Sequence, residues 1–216
     1  VVPMYFELDG NFPNHPANPI EKANNAALVE KIKSEKADLG LAFDGDADRV
    51  FFFDENGVSL DSSFVTAMIA KKILEKNLGE KIIYTVTVSK AVPEVVAQNG
   101  GESLLTKVGH SYIKQVMKES GSIFAGEASG HYFFRDNYRA DSGLIATMIV
   151  LEMISESGKK LSELIKEFEL WHKIEETNFA VADKDAVIQK MRQAFGSNIS
   201  QEFDGLTFDF GDWWFN

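Results

Sequence analysis

Residues 81–131 read KIIYTVTVSKAVPEVVAQNGGESLLTKVGHSYIKQVMKESGSIFAGEASGH. In this stretch, short apolar runs alternate with segments whose apolar side chains recur at helical spacing. The predicted elements are a strand at 81–88, a helix at 92–98, a strand at 103–108, a helix at 112–119 and a strand at 123–125. Strands that alternate with helices are typical of a parallel sheet covered by helices. The sequence therefore predicts an α/β fold with mixed, mainly parallel sheets and flanking helices.

A polar loop follows the last of these strands. Glu127, Ser129 and His131 occupy alternate positions there, and α/β sheets bind ligands at the carboxyl ends of parallel strands. A carboxylate, a hydroxyl and an imidazole suit the hydroxyl groups of a sugar, which both donate and accept hydrogen bonds. Taken alone, a Gly-containing loop of this kind is more often a simple polar turn.

A second polar turn follows the strand at 103–108. Lys107 and His110 flank the start of the next helix, and Ser111 is its predicted N-cap. A helix N-terminus between two basic residues can hold an anion. A lone histidine at such a turn is more often structural, so this motif has little weight by itself.

Three aspartates lie nearer the N-terminus, between predicted strands at 39–43 and 50–53. Asp44, Asp46 and Asp48 alternate and are followed by Arg49. In an extended backbone their carboxylates would share one side, where each pair repels by about 3 kcal/mol at about 5 Å. A cation would remove that repulsion, and a site built only from oxygen ligands suits Mg²⁺. We therefore predict a magnesium site made for phosphoryl transfer rather than a solvated acidic turn.

Two other sites begin with a similar acidic pattern. An EF-hand would place Glu55 at the twelfth loop position, but its sixth position requires Gly and is Arg49, and the flanks are strands. A phosphatase of the haloacid-dehalogenase type would use Asp44 as its nucleophile. The later sequence lacks a convincing paired-Asp metal motif for that class, but this alternative stays open.

The composition limits the partners of the chain. A formal net charge of −11, without any basic run longer than a pair, argues against nucleic acid and anionic membranes as partners. The apolar runs are far below the about 18 residues needed to span a bilayer. The absence of cysteine, together with the absence of a signal-peptide pattern, favours a cytoplasmic location.

The remaining segments extend the α/β pattern in both directions. A tight-turn signal at Asn56-Gly57 and a change in the element pattern after the helix at 161–168 place boundaries near Gly57 and Trp171. Further helices are predicted at 20–33, from Asp61 or Ser62, at 142–155, at 161–168 and at 184–195. Further strands are predicted at 1–8, 179–182, 206–210 and from 213.

Four motifs together resemble the α-D-phosphohexomutase family, above all its bacterial phosphomannomutase/phosphoglucomutase branch. They are DGDADR, GEASGH, KVGHS and FPNHPANP. The resemblance runs along nearly the whole chain and implies phosphoglucomutase-like domains. Residues 1–57 would be part of a second domain with the metal loop, 58–170 a third domain with the sugar-binding loop, and 171–216 the start of a fourth, phosphate-binding domain. On this basis we expect the chain to be a fragment of a longer protein.

The resemblance also implies roles for individual residues. Asp44, Asp46 and Asp48 correspond to the magnesium ligands, and Arg49 to an arginine that positions the reacting groups. Glu127, Ser129, His131 and Lys107 are expected to bind substrate, and His110 and His131 join Arg49 as candidate catalytic residues. Thr87 stands where relatives often have a lysine, with Lys90 just beyond it, so the source of that positive charge is left open.

The reaction implied by the resemblance interconverts hexose 1-phosphate and hexose 6-phosphate, for mannose or glucose, through a phosphoserine and a bisphosphate. This sequence has no serine in the Thr-Ala-Ser-His-Asn-Pro setting that the family uses, so the chain alone is expected to be inactive. Two alternatives stay open, the phosphatase that uses Asp44 and a non-catalytic fragment that binds sugar phosphates.

Overall fold

A computed structural model describes residues 1–174 and 176–216. Its strands are β1 (Leu39–Phe43), β2 (Val50–Asp54), β3 (Lys81–Thr85), β4 (Glu102–Thr106), β5 (Phe124–Gly126), β6 (Tyr132–Phe134), β7 (Ala140–Asp141), β8 (Ile199–Gln201), β9 (Thr207–Asp209) and β10 (Trp214–Phe215). Its α-helices are α1 (Ala26–Glu35), α2 (Ser62–Lys76), α3 (Ala91–Gln98), α4 (His110–Ser120), α5 (Gly143–Ser157), α6 (Leu161–Leu164) and α7 (Lys184–Phe195). Short 3₁₀ helices cover Lys22–Asn25, Ile165–Glu167 and Gly196–Asn198.

The largest sheet has five strands in the order β4-β3-β5-β6-β7. Strand β3 pairs in parallel with β4 and β5, because each of these connections contains a helix. The pairs β5-β6 and β6-β7 are antiparallel, since short loops join these strands. The predicted mixed α/β fold is confirmed.

Helices cover both faces of this sheet because neighbouring residues of a strand point to opposite sides. Ile82 and Phe124 pack into the larger core, which includes residues of α2, α3 and α5. Ile83 and Ala125, one position further along each strand, pack into a smaller core with Ile113 of α4. The result is three layers, helix on sheet on helix.

The acidic segment lies in a separate two-stranded sheet. Strands β1 and β2 form an antiparallel hairpin in which Phe43 is opposite Val50. Helix α1 packs against it through Ile32, which contacts the buried Phe51 and Phe53. The hairpin holds the aspartates at one tip.

The C-terminal segment forms a small antiparallel sheet in the order β10-β9-β8, with α7 before it. Five aromatic rings pack together in this segment: four of them stack, and the ring of Phe195 meets them edge-on. They belong to Phe195, Phe208, Phe210, Trp213 and Phe215. In the part of the chain that the structure describes, every helix is too short or too polar to cross a bilayer.

Several predicted elements are wrong. Residues 1–8 and 179–182 form no strand, because no described strand lies beside them to accept their backbone hydrogen bonds; Phe6 and Phe179 are largely exposed. Strands β6, β7 and β8 were missed, since two or three residues are too few to show an alternating pattern. Gly109, not Ser111, is the N-cap of α4, and the helix begins at His110.

Candidate active site

The three aspartates converge at the tip of the β1-β2 hairpin. Each offers a carboxylate oxygen, and these atoms lie within 4.8 Å of one another. A turn produces this arrangement, not the extended backbone that the sequence suggested: the Ala47 amide donates to the Asp44 carbonyl at 3.2 Å, and Ala47 has φ +61°. The grouping of the three side chains agrees with the prediction, although the local backbone differs.

Arg49 is bound to the first aspartate. Its Nε lies 2.7 Å from Asp44 Oδ2, and its amide donates to Asp44 Oδ1 at 3.1 Å. Burial favours the neutral acid, but the hydrogen bonds and charge of Arg49 outweigh it, so the pKa of Asp44 is lowered. Asp44 is therefore an ionised, fixed carboxylate.

Asp48 is in the opposite electrostatic situation. Burial raises the pKa of Asp48, and the charges of Asp44, Asp46 and Asp141 add to this effect, against the opposing charge of His131. Among the described residues, no partner donates a hydrogen bond to its buried Oδ1. A hard cation would neutralise the crowded carboxylates and provide a partner for this oxygen, so the three aspartates fit Mg²⁺.

The second polar loop connects β5 to β6 and is held by Glu127. This side chain is buried, and its Oε1 accepts a hydrogen bond from the Gly109 amide at 2.9 Å. Its Oε2 lies 3.1 Å from His131 Nδ1, and Ser129 Oγ lies 2.9 Å from the same nitrogen. Glu127, Ser129 and His131 thus form one polar group, as the alternation predicted.

The two loops are joined to each other. Arg49 and His131 form an antiparallel backbone bridge, and the Val50 amide donates to the Gly130 carbonyl at 3.1 Å. His131 Nε2 also lies 3.4 Å from Asp48 Oδ2. The aspartate cluster and the Glu127 loop therefore form one continuous site.

His131 is the side chain that touches both loops. Burial lowers its pKa, but the hydrogen bond and charge of Glu127, with the charges of Asp48 and Asp141, outweigh this and raise it. Its ring stacks on Phe133 at 5.9 Å between centroids. The neighbouring carboxylates therefore favour the protonated form of the His131 ring.

The turn with Lys107 and His110 lies next to this site, but its side chains are not part of the polar group. Lys107 Nζ lies 5.6 Å from the centroid of the Tyr112 ring. The His110 side chain is exposed and makes no hydrogen bond or ion pair with any residue that the structure describes. The turn reaches the site through its backbone, at the Gly109 amide that binds Glu127.

Sequence reasoning missed two residues beside His131. Asp141 of β7 places Oδ2 4.0 Å from His131 Nε2, and its Oδ1 lies 3.3 Å from Lys114 Nζ. Neither residue belongs to a polar loop, and β7 has only two residues, so local spacing gave no signal. Pairing with β6 brings Asp141 to this position.

Lys90 is engaged elsewhere. Its Nζ forms an ion pair with Asp209 Oδ1 at 2.7 Å and lies 5.2 Å from the centroid of the Trp171 ring. Lys90, one candidate source of the positive charge left open by the sequence, therefore connects the start of α3 to strand β9.

Two sequence profiles of one family match this chain. Residues 1–57 match phosphoglucomutase/phosphomannomutase, alpha/beta/alpha domain II, and residues 61–171 match alpha/beta/alpha domain III. A phosphomannomutase from Methanocaldococcus jannaschii is 38% identical over 208 residues, which are 96% of this chain and 46% of the relative. The chain spans about half the length of the curated relatives it matches.

Solved structures agree with the profiles. A phosphoglucomutase/phosphomannomutase family protein from Burkholderia thailandensis superposes with a TM-score of 0.84 at 31% identity, over 99% of this chain and 46% of that chain. N-acetylphosphoglucosamine mutase from Aspergillus fumigatus, solved with GlcNAc-6P and magnesium, has a TM-score of 0.50 at 15% identity, over 72% of this chain and 40% of that one. The second likeness concerns the fold alone.

Proposed function

The chain belongs to the phosphoglucomutase/phosphomannomutase family, and on that premise we propose that it supplies the magnesium loop and the sugar-binding loop of a phosphohexomutase. The proposed reaction of the whole protein interconverts hexose 1-phosphate and hexose 6-phosphate, with mannose or glucose as the sugar, through a phosphoserine and a bisphosphate intermediate. The supporting observation is the contact between the two loops, where His131 Nε2 lies 3.4 Å from Asp48 Oδ2. A cation site and a sugar site so close together suit a sugar phosphate.

The magnesium ligands in this proposal are Asp44, Asp46 and Asp48. Magnesium, when bound, would neutralise charge on the transferred phosphoryl group. Arg49 fixes Asp44 through both carboxylate oxygens and so sets the geometry of the loop before any cation binds. Its guanidinium also gives the site a permanent positive charge.

The sugar hydroxyls would be bound by Glu127, Ser129 and His131, with Lys107 near the phosphate. Glu127 is held by the Gly109 amide, so this acceptor is oriented in advance of the ligand. His131 can donate or accept a proton at Nε2, and Arg49 and His110 are the other candidate catalytic residues. The proposed segments are 1–57 for the metal loop, 58–170 for the sugar loop and 171–216 for phosphate binding, in a cytoplasmic protein.

The phosphatase alternative requires a free nucleophile at Asp44. Both of its carboxylate oxygens accept hydrogen bonds from Arg49, at 2.7 and 3.1 Å. The preceding strand β1 also pairs with β2 in an antiparallel hairpin, instead of lying in the parallel part of the large sheet. Both observations favour the mutase over the phosphatase.

Calorimetric titration of the purified chain tests the proposal. We expect Mg²⁺ to bind the parent chain, Asp46→Asn to weaken that binding and Asp38→Asn, an exposed aspartate outside the loop, to leave it unchanged. Equal magnesium affinity in Asp46→Asn and the parent would show that the ligand assignment is wrong.

A second titration separates the possible functions. Mannose 1-phosphate or glucose 1-phosphate should bind more tightly with magnesium present, and Glu127→Gln should weaken this binding. Sugar-phosphate binding that is equally tight with and without magnesium would favour a non-catalytic sugar-phosphate binder. Phosphate release that depends on Asp44 would favour the phosphatase.

We expect no conversion of hexose 1-phosphate by the chain alone, because the sequence has no serine in the Thr-Ala-Ser-His-Asn-Pro setting that the family uses. Conversion above a metal-free blank would overturn that expectation.

A further inference from the structure

A second group of metal-binding side chains lies beside the aspartate cluster. Asp48, His131 and Asp141 each offer one ligand atom, and the three atoms lie within 4.8 Å of one another. They come from three segments: the acidic loop, the end of the Glu127 loop and strand β7. We propose that they form a separate site for a divalent transition-metal ion, with Zn²⁺ as the representative ion.

The orientation of the imidazole supports this assignment. A histidine that binds a metal nearly always donates its other ring N–H to a carboxylate, carbonyl or water. His131 Nδ1 lies 3.1 Å from Oε2 of the buried Glu127, whose other oxygen accepts from the Gly109 amide. The histidine therefore has its carboxylate partner on one nitrogen, and Nε2 points at both aspartates.

The two carboxylates are also suitably placed. Asp141 uses Oδ1 for Lys114 at 3.3 Å, which leaves Oδ2 towards His131 at 4.0 Å. Asp48 Oδ2 is 3.4 Å from the same nitrogen. Ligands about 2.0 to 2.1 Å from a tetrahedral ion are about 3.3 Å apart, whereas the three ligand atoms here lie within 4.8 Å of one another, so binding one ion draws the carboxylates inward by at most about 1.5 Å.

The simpler interpretation is an ion pair, in which a protonated His131 neutralises both aspartates. Metal binding replaces the proton on Nε2, which is released to solvent, and the ligand atoms then bind the ion instead of the proton. Asp48, with 37% of its side chain exposed, gives the ion a path from solvent.

The ligand set decides the class of ion. One imidazole nitrogen and two carboxylates suit Zn²⁺, Ni²⁺ or Cu²⁺, whereas the three aspartates suit Mg²⁺. Asp48 belongs to both sets, so an ion at the second site competes for a ligand of the proposed magnesium site. Metal binding at the second site can be measured without mutase activity, because all three proposed ligands belong to this chain.

Calorimetry with paired variants separates the two sites. Asp141 belongs only to the second site and Asp46 only to the first. We expect Asp141→Asn to lower Zn²⁺ affinity at least tenfold while Mg²⁺ affinity stays within twofold, and Asp46→Asn to give the opposite result. If Zn²⁺ affinity falls in Asp46→Asn and is kept in Asp141→Asn, zinc binds only the aspartate cluster and the proposal is wrong.

A spectroscopic measurement keeps the test valid if Asp141→Asn does not fold. The chain has four histidines. The triple variant that combines His15→Gln, His110→Gln and His172→Gln keeps His131 as its single histidine. Electron paramagnetic resonance of bound Cu²⁺ should show coupling to an imidazole nitrogen in this triple variant and lose it when His131→Gln is added to the triple variant. Absence of nitrogen coupling in the triple variant, checked as folded by circular dichroism, would overturn the site.

Discussion

Replacement of Gly130 by alanine tests the close contact between the aspartate loop and the Glu127 loop. Gly130 has φ +87°, and an added Cβ would lie 2.9 Å from Phe51 Cε2 and 3.2 Å from the Val50 carbonyl oxygen. The left-handed backbone costs an alanine roughly 1–2 kcal/mol. Displacing the Phe51 ring, which is buried, adds about 1–3 kcal/mol. We therefore expect Gly130→Ala to lower the free energy of unfolding by about 2–5 kcal/mol.

Gly79 provides a matched control because it has nearly the same backbone angle without the crowding. Its φ is +82°, and nothing lies within 4 Å of an added Cβ. Gly79→Ala should thus lower the free energy of unfolding only by the cost of the left-handed backbone, roughly 1–2 kcal/mol. Urea unfolding followed by circular dichroism measures both variants. Equal losses in the two variants would refute the claim that close packing between the loops requires glycine at 130.

Two further predictions concern the acidic loop and helix α5. Arg49→Met should lower the free energy of unfolding at pH 7 by about 1.5–3 kcal/mol, because it removes a charged hydrogen bond from a buried carboxylate. Since Arg49 lowers the folded-state pKa of Asp44, the stability it contributes is present above about pH 4 and is lost as the pH falls through the folded-state pKa. Thermal unfolding between pH 7 and pH 2 should therefore show the stabilities of the variant and the parent converging at low pH. A difference in stability that stays constant with pH would contradict the assignment. The control is Arg192→Met, which breaks an exposed ion pair with Glu202. Ser142→Ala should cost about 1 kcal/mol in urea unfolding because its Oγ caps α5 at the Ile145 amide, and a loss no larger than in the exposed Ser155→Ala would argue against the cap.

The sequence predicted the features that depend on local patterns. The strands and helices between 81 and 125 were found because short apolar runs alternate there with segments of helical period, and α7 was found with its bounds, Lys184–Phe195. Asp61 and Ser62 were the two candidates for the start of α2, and the structure has Asp61 as the cap, with its side chain accepting from the Ser63 amide. These features are encoded within a few residues of one another.

The features that the sequence did not predict depend on distant contacts. Asp141 reaches His131 only because β7 pairs with β6, and Lys114 reaches Asp141 from another helix. Residues 1–8 look like a strand by composition, but a strand requires a neighbour to complete its hydrogen bonds. For the candidate site, the grouping of the aspartates and of the Glu127 loop followed from spacing, whereas the contact between the two loops did not.

The bridge between Arg49 and His131 is made by main-chain atoms, and this affects how such a site can change during evolution. Backbone hydrogen bonds survive the exchange of side chains. Under the proposed function, a substitution at Ala128, in the middle of the Glu127 loop, would alter which sugar the loop accepts while the backbone bridge keeps the distance to the aspartates fixed. The specificity of the proposed sugar loop would then diversify without disturbing the proposed cation ligands, because the two loops are aligned by backbone atoms that every sequence has.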